Sequence, residues 1–98
     1  MYNILILPLA KQDISENAKW YENRKKGLGK QFVREIRIKM DIIRKNPKAF
    51  AIRYKQIRTA VLNVFPYIIH YTVEEKRKTI VVLAVLHTSR NPEIWKNR

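Results

Sequence analysis

The chain predicts an α+β fold of order β-α-α-β-β-β, a helical hairpin packed on a small, antiparallel-rich sheet. Three observations carry this. Residues 56–62, 65–73 and 79–87 are runs rich in β-branched and aromatic side chains, which read as consecutive strands. The breaks between them, Asn63-Val64 and Glu74-Glu75-Lys76-Arg77-Lys78, are so short that only hairpins can connect the runs. Residues 10–45 instead carry helical periodicity, split once at Gly27-Leu28-Gly29.

In chain order, Tyr2-Asn3-Ile4-Leu5-Ile6-Leu7 is a short uncharged apolar run stopped by Pro8, expected as a first strand inside or beside the sheet. From about Ala10 to Lys26, Ile14, Ala18 and Tyr21 form an apolar stripe that Trp20 widens. Asp13 and Glu16 in its early turns, with Lys25 and Lys26 in its last, complement a helix dipole. Gly27 is placed to be the left-handed residue that ends this helix. A second helix is expected over about 28–45, with Phe32, Val33, Ile36, Met40 and Ile43 on one face. Lys30, Arg34, Arg37 and Arg44 lie opposite, and Glu35–Lys39 and Asp41–Lys45 are spaced as i, i+4 ion pairs. Asn46-Pro47 closes the helix, and Ile52 and Tyr54 are placed to add a short extra strand. The last of the three strands is apolar at both parities, which predicts a central strand covered on both faces. Residues 88–98 read as a turn or a helical turn.

Length and composition restrict the function classes. The 98 residues are expected to form one domain, 1–98, large enough to fold without metal or disulfide support. No cysteine, signal peptide or membrane-length apolar stretch is present, which points to a cytoplasmic protein. Against 8 Asp and Glu stand 21 Lys and Arg, a formal charge of +13 that favours an acidic partner such as nucleic acid, acidic protein or an anionic surface. With 46% apolar residues, the chain is too hydrophobic for a disordered basic tail.

Few residues offer chemistry. His70 and His87 are the metal candidates, but a turn centred near Lys76 sets His70 opposite about Val82, ~17 Å along the ladder from His87. No Cys nucleophile, Gly-x-Ser-x-Gly or phosphate loop occurs, and Glu74 with Glu75 reads as a solvated turn. No metal, cofactor, membrane or small-molecule substrate is therefore expected. Arg58 lies within a strand and leaves the sheet on the Gln56, Ala60 and Leu62 side, either packing its stem or meeting an anion. His87 and Arg90 end and follow the last strand, where side chains reach solvent. Trp95 reads as a lid on the core or as a stacking platform.

Several short pieces recur together: Ala10-Lys11-Gln12-Asp13-Ile14, Tyr21-Glu22, Gly27-Leu28-Gly29 with Phe32 and Glu35, Asn46-Pro47, Ile57-Arg58, Phe65-Pro66-Tyr67 with Ile69 and Tyr71, and Val85-Leu86-His87 followed by Arg90-Asn91-Pro92 and Trp95. In this order and spacing they resemble the RelE/ParE superfamily of bacterial type II toxins over essentially the whole chain. The resemblance implies a β-α-α-β-β-β toxin neutralised by a cognate antitoxin, expected to be acidic. It implies one of two targets. RelE-type members cut messenger RNA on the ribosome, using clustered Lys, Arg and Tyr; here Tyr67 stands at a position where they carry arginine, and Trp95 stands near their terminal tyrosine. The Phe-Pro-Tyr and His-x-x-Arg-Asn-Pro pieces resemble the ParE branch, often described as plasmid stabilisation proteins, some of which inhibit DNA gyrase. The resemblance places target binding on Arg58, His87, Arg90 and Trp95, with Arg58, His87 and Arg90 as the catalytic candidates if the protein is a nuclease. A third reading, a small basic nucleic-acid-binding module, would use Tyr67, Ile69 and Tyr71 on one strand face, a face the two helices are expected to cover.

Overall fold

The computed structural model describes residues 1–90. It runs β1 (Asn3–Ile6), α1 (Pro8–Arg24), α2 (Leu28–Lys45), a 3-10 turn (Pro47–Ala49), β2 (Ile52–Tyr54), β3 (Ile57–Val61), β4 (Tyr67–Glu74) and β5 (Thr79–His87). The expected order is found, with the short extra strand at Ile52–Tyr54. One sheet forms in the order β1-β5-β4-β3-β2, with β1 parallel to β5 and the other neighbours antiparallel.

Both helices cover one face. Phe32, Ile36, Met40 and Ile43 of α2 and Ala10 of α1 are buried against Ala60, Tyr67, Ile69, Tyr71, Ile80, Val82 and Val85. The Tyr67, Ile69, Tyr71 face is therefore core, as the helical stripes require, and the nucleic-acid-module reading loses the surface it needed.

α1 starts two residues earlier than its periodicity suggests, because Pro8 begins the helix rather than merely ending the strand. Proline at the first helical position lacks an N–H that no intrahelical carbonyl would accept anyway. The helix ends at Arg24, so Lys25 and Lys26 fall in the connection and no acid lies in the first turn. The dipole argument reduces to Arg24. Asp13 instead accepts the backbone N–H of Val85 at 3.0 Å, tying α1 to β5. Trp20 does not widen the buried stripe; it is 50% exposed.

The Gly27-Leu28-Gly29 break is a close helix contact. Gly27 has φ +90°, in the left-handed region where a side chain is strained. Gly29 faces α1 so tightly that a Cβ there would lie 2.5 Å from the carbonyl oxygen of Ala18. Glu22 reaches over the break, and its two oxygens accept the N–H groups of Gly27 at 2.9 Å and Gly29 at 3.0 Å. Those two donors open α2, where no preceding carbonyl can satisfy them. The i, i+4 pairs expected on α2 give way to other contacts: Glu35 accepts the Val64 N–H and Lys39 reaches Asn63, both far along the chain, while Asp41 approaches Arg44, three residues on, at 3.8 Å.

β5 is central, between β1 and β4, but its two-sided hydrophobicity has a second cause. The register runs Tyr71↔Val82 and then His70↔Ala84, leaving Leu83 as a bulge. Ile80 and Val82 face the helices before it, Val85 after it, so the inward face changes parity within one strand. On the outer face Ala84 and Leu86 are buried, whereas Val81 and Leu83 are half-buried, so the expected two-sided cover is incomplete. The bulge also moves His70 opposite Ala84 instead of Val82.

Candidate functional site

At the end of the β4–β5 ladder, Tyr67 pairs with His87 on the helix-covered face. The rings meet edge-on with centroids 5.2 Å apart. His87 Nδ1 accepts the Ser89 backbone N–H at 3.0 Å and lies 2.7 Å from Ser89 Oγ. That backbone bond places the proton of the neutral ring on Nε2. Arg90 closes the following turn, its N–H donating to the His87 carbonyl at 3.0 Å. The exposed Arg90 thus stands beside His87, as the sequence suggested.

Tyr67 itself is 6% exposed and donates its hydroxyl to Asn17 Oδ1 at 2.7 Å. Burial, with Tyr21 as neighbour, pushes its phenol up to about 12, while Arg90 pulls weakly the other way. At neutral pH it is a protonated donor, not a base. Glu16, Asn17, Trp20 and Tyr21 of α1 complete, with Tyr67 and His87, a cleft of about 410 Å³. These α1 residues were missed in the sequence because the i, i+4 spacing of Glu16 with Trp20 and of Asn17 with Tyr21 is indistinguishable from an ordinary helix face.

Arg58 belongs elsewhere. It pairs with Tyr71, four residues along β4 from Tyr67, a separation of ~13 Å. As expected it turns to the Ala60 side, but its guanidinium is held by backbone: Nη1 donates to the Phe50 carbonyl at 2.6 Å and approaches that of Lys48 at 3.4 Å. Tyr71 donates to the Pro47 carbonyl at 2.6 Å, and burial pushes its phenol up to about 12. Together they clamp the chain after α2 onto the sheet. Glu75, read as a solvated turn residue, joins this end by an ion pair to Lys48 at 2.8 Å and a bond from the Tyr2 hydroxyl. Trp95 lies outside the described residues. The two histidines lie on opposite faces of the sheet, since His70 pairs with Ala84 and bonds the Tyr54 hydroxyl at 3.0 Å.

A larger groove of about 580 Å³ runs between α1 and α2. Ala18, Gly29 and Val33 form its floor, and Lys19, Lys30, Arg34 and Arg37, with the single carboxylate of Glu22, its rim. Three of the four basic residues predicted opposite the apolar face of α2 line it; the fourth, Arg44, donates to the Tyr2 carbonyl at 3.1 Å. Among the described residues no group of three or more His, Cys, Asp or Glu is placed to hold a metal ion, and no helix is long and apolar enough to cross a membrane.

This architecture, a helical hairpin over a five-stranded mixed sheet, is that of the toxins in ParDE and RelBE systems. Over 91% of this chain and 98% of the other, it superposes with a TM-score of 0.78 at 16% identity on a structure of the chromosomal ParDE system from P. aeruginosa. The isolated E. coli RelE toxin gives a TM-score of 0.70 at 16% identity over 99% of this chain and 94% of RelE. The RelBE2 toxin–antitoxin complex from Mycobacterium tuberculosis gives 0.62 at 13% identity over 88% and 96%. A search of curated proteins returned no match. The family model of the ParE toxin of the type II toxin–antitoxin system parDE matches residues 4–92, and the chain belongs to that family.

Proposed function

We propose that this toxin acts by binding a protein target, DNA gyrase, and that a cognate acidic antitoxin neutralises it in the cytoplasm. The observation that carries the choice of target is the separation of the cations. Metal-free RNA cleavage needs a base, an acid and cations converging on one phosphate, yet Arg58 lies ~13 Å along the sheet from Tyr67 and His87. The position where the resemblance places a nuclease arginine holds Tyr67, buried and protonated. An inhibitor needs only a shaped surface that complements its target, and the cleft beside His87 and Arg90 offers one. For the antitoxin, the apolar floor and the four basic residues of the α1–α2 groove, set against one carboxylate, Glu22, suit an amphipathic segment carrying carboxylates.

Inducible expression tests this reading. Plasmid relaxation with intact messenger RNA, and inhibition of purified gyrase by purified toxin, are the expected results. The alternative is a RelE-type nuclease centred on His87 and Arg90. In that case ribosome-dependent RNA ends appear before any supercoiling defect, and His87→Ala lowers cleavage by roughly two to four orders of magnitude while antitoxin binding persists.

A further inference from the structure

Trp20 is the largest side chain on α1, and half of it faces solvent. It is nonetheless held in place: the edge of Tyr21 meets it with centroids 5.0 Å apart, and the Arg24 guanidinium stands 4.4 Å over its ring. From Trp20 the aromatic wall continues through Tyr21 to Tyr67 at 6.1 Å and on to His87 at 5.2 Å, each contact steeply inclined. The cleft behind this wall opens at the His87 and Arg90 end of the sheet, on the side of α1 away from the basic groove. Glu16 sits on its lining, and one of its carboxylate oxygens accepts from Gln12 at 2.8 Å.

We propose that this cleft is an anchor pocket, taking one tryptophan or tyrosine side chain from an acidic segment of a protein partner. The proposal rests on the reading above in that the partner is a protein. Rings already arranged edge-to-face accept a further ring in the same geometry. A carboxylate keeps lone pairs for an indole N–H or a phenol O–H after one bond is made, so Glu16 selects an aromatic with a donor. Arg24 at one end and Arg90 near the other, within a chain of charge +13, favour carboxylates flanking the anchor. A nucleotide is the competing occupant. Glu16 opposes its phosphate and a peptide's flanking carboxylates alike, so adenosine monophosphate serves as the competing probe. Trp20 is already immobilised by Tyr21 and Arg24, so docking against it costs little side-chain entropy.

Nuclear magnetic resonance on ¹⁵N-labelled protein carrying Trp95→Phe, which leaves Trp20 as the source of the indole N–H signal, tests the proposal without reference to any target. The probes are a blocked Asp-Glu-Trp-Glu-Asp peptide, its Asp-Glu-Ala-Glu-Asp counterpart and adenosine monophosphate, each to millimolar concentration. The tryptophan peptide is expected to shift the Trp20 indole and the amides of Tyr21, Tyr67 and His87 saturably, the alanine peptide at least tenfold more weakly, and the nucleotide not saturably. Trp20→Ala, with an unchanged thermal melt, should abolish the response at those amides, and Glu16→Ala should weaken it severalfold if Trp20→Ala does not fold. Saturation by the nucleotide, equal response to the two peptides, or no saturable shift by the tryptophan peptide would overturn it. A negative gyrase assay alongside a saturable peptide response would sink the choice of target and leave the pocket standing.

Discussion

At the residue scale, the informative side chains are acids that accept backbone N–H groups far from them in sequence. Gly27 was legible as a left-handed break because its neighbours stop the helical pattern, but the partners of Glu22, Asp13 and Glu35 were not. A carboxylate in a helix looks the same in sequence whether it faces water or a remote amide. Glu22 makes the clearest prediction. The N–H of Gly27 does most to hold its carboxyl below the usual 4.5; burial opposes it, and the Gly29 N–H with Lys30 and Lys26 adds to the lowering. A depressed folded pKa contributes stability that is present above the unfolded value and lost as pH falls through the folded one. Glu22→Gln should therefore flatten the fall in stability that the wild type shows below about pH 4.5, read from urea midpoints at stepped pH. Tyr67 and Tyr71 act in the opposite direction, since their raised pKa values favour the folded state up to pH 10.0 and lose that contribution from there towards about 12. Gly29→Ala tests the helix contact, because its Cβ would meet the Ala18 carbonyl. Overpacking of this kind costs about 1–3 kcal/mol, more than the helix propensity of alanine returns at about 1 kcal/mol. A stabilised variant in urea melts would refute the close approach.

At the element scale, α2 was read with the right bounds because its apolar face is continuous and glycine and proline bracket it. The arrangement of β5 was not legible. A strand that is apolar at both parities looks like one buried on both sides, whereas part of the pattern reflects the bulge at Leu83, where the inward face changes from Ile80 and Val82 to Val85. Sequence alternation cannot place a bulge inside an unbroken apolar run. The site divides for a related reason: Arg58 on β3 and His87 on β5 flank the same strand, β4, but only the register reveals that they pair with it at different positions, Tyr71 and Tyr67. The packing of α2 on the sheet gives this scale its prediction. Met40 is 7% exposed and lies in the core between α2 and the sheet, so Met40→Asp buries a charge without a partner. The expected loss is about 3–5 kcal/mol in urea melts, and an unchanged midpoint would show that this face does not pack where it is described.

At the scale of the whole molecule, the charge of +13 was evident from composition, but its distribution was not. Lys19, Lys30, Arg34 and Arg37 come from two helices that only the close contact at Gly29 brings side by side, so the groove rim required the fold. Four basic residues against the single carboxylate of Glu22 around an apolar floor should act mainly on encounter, because exposed charges steer diffusion more than they hold the bound state. The Debye length shrinks from about 30 Å at 0.01 M salt to about 8 Å at 0.15 M, so antitoxin association followed by stopped flow should slow severalfold or more across that range while dissociation changes little. Location separates groove steering from the general field. Arg34→Glu with Arg37→Glu and Lys76→Glu with Arg77→Glu change net charge equally, but the second pair lies in the β4–β5 turn, outside the groove lining. The groove pair should cut the association rate by about tenfold, and the turn pair by much less. Equal slowing by both pairs would mean that the antitoxin senses net charge and does not enter along the α1–α2 groove.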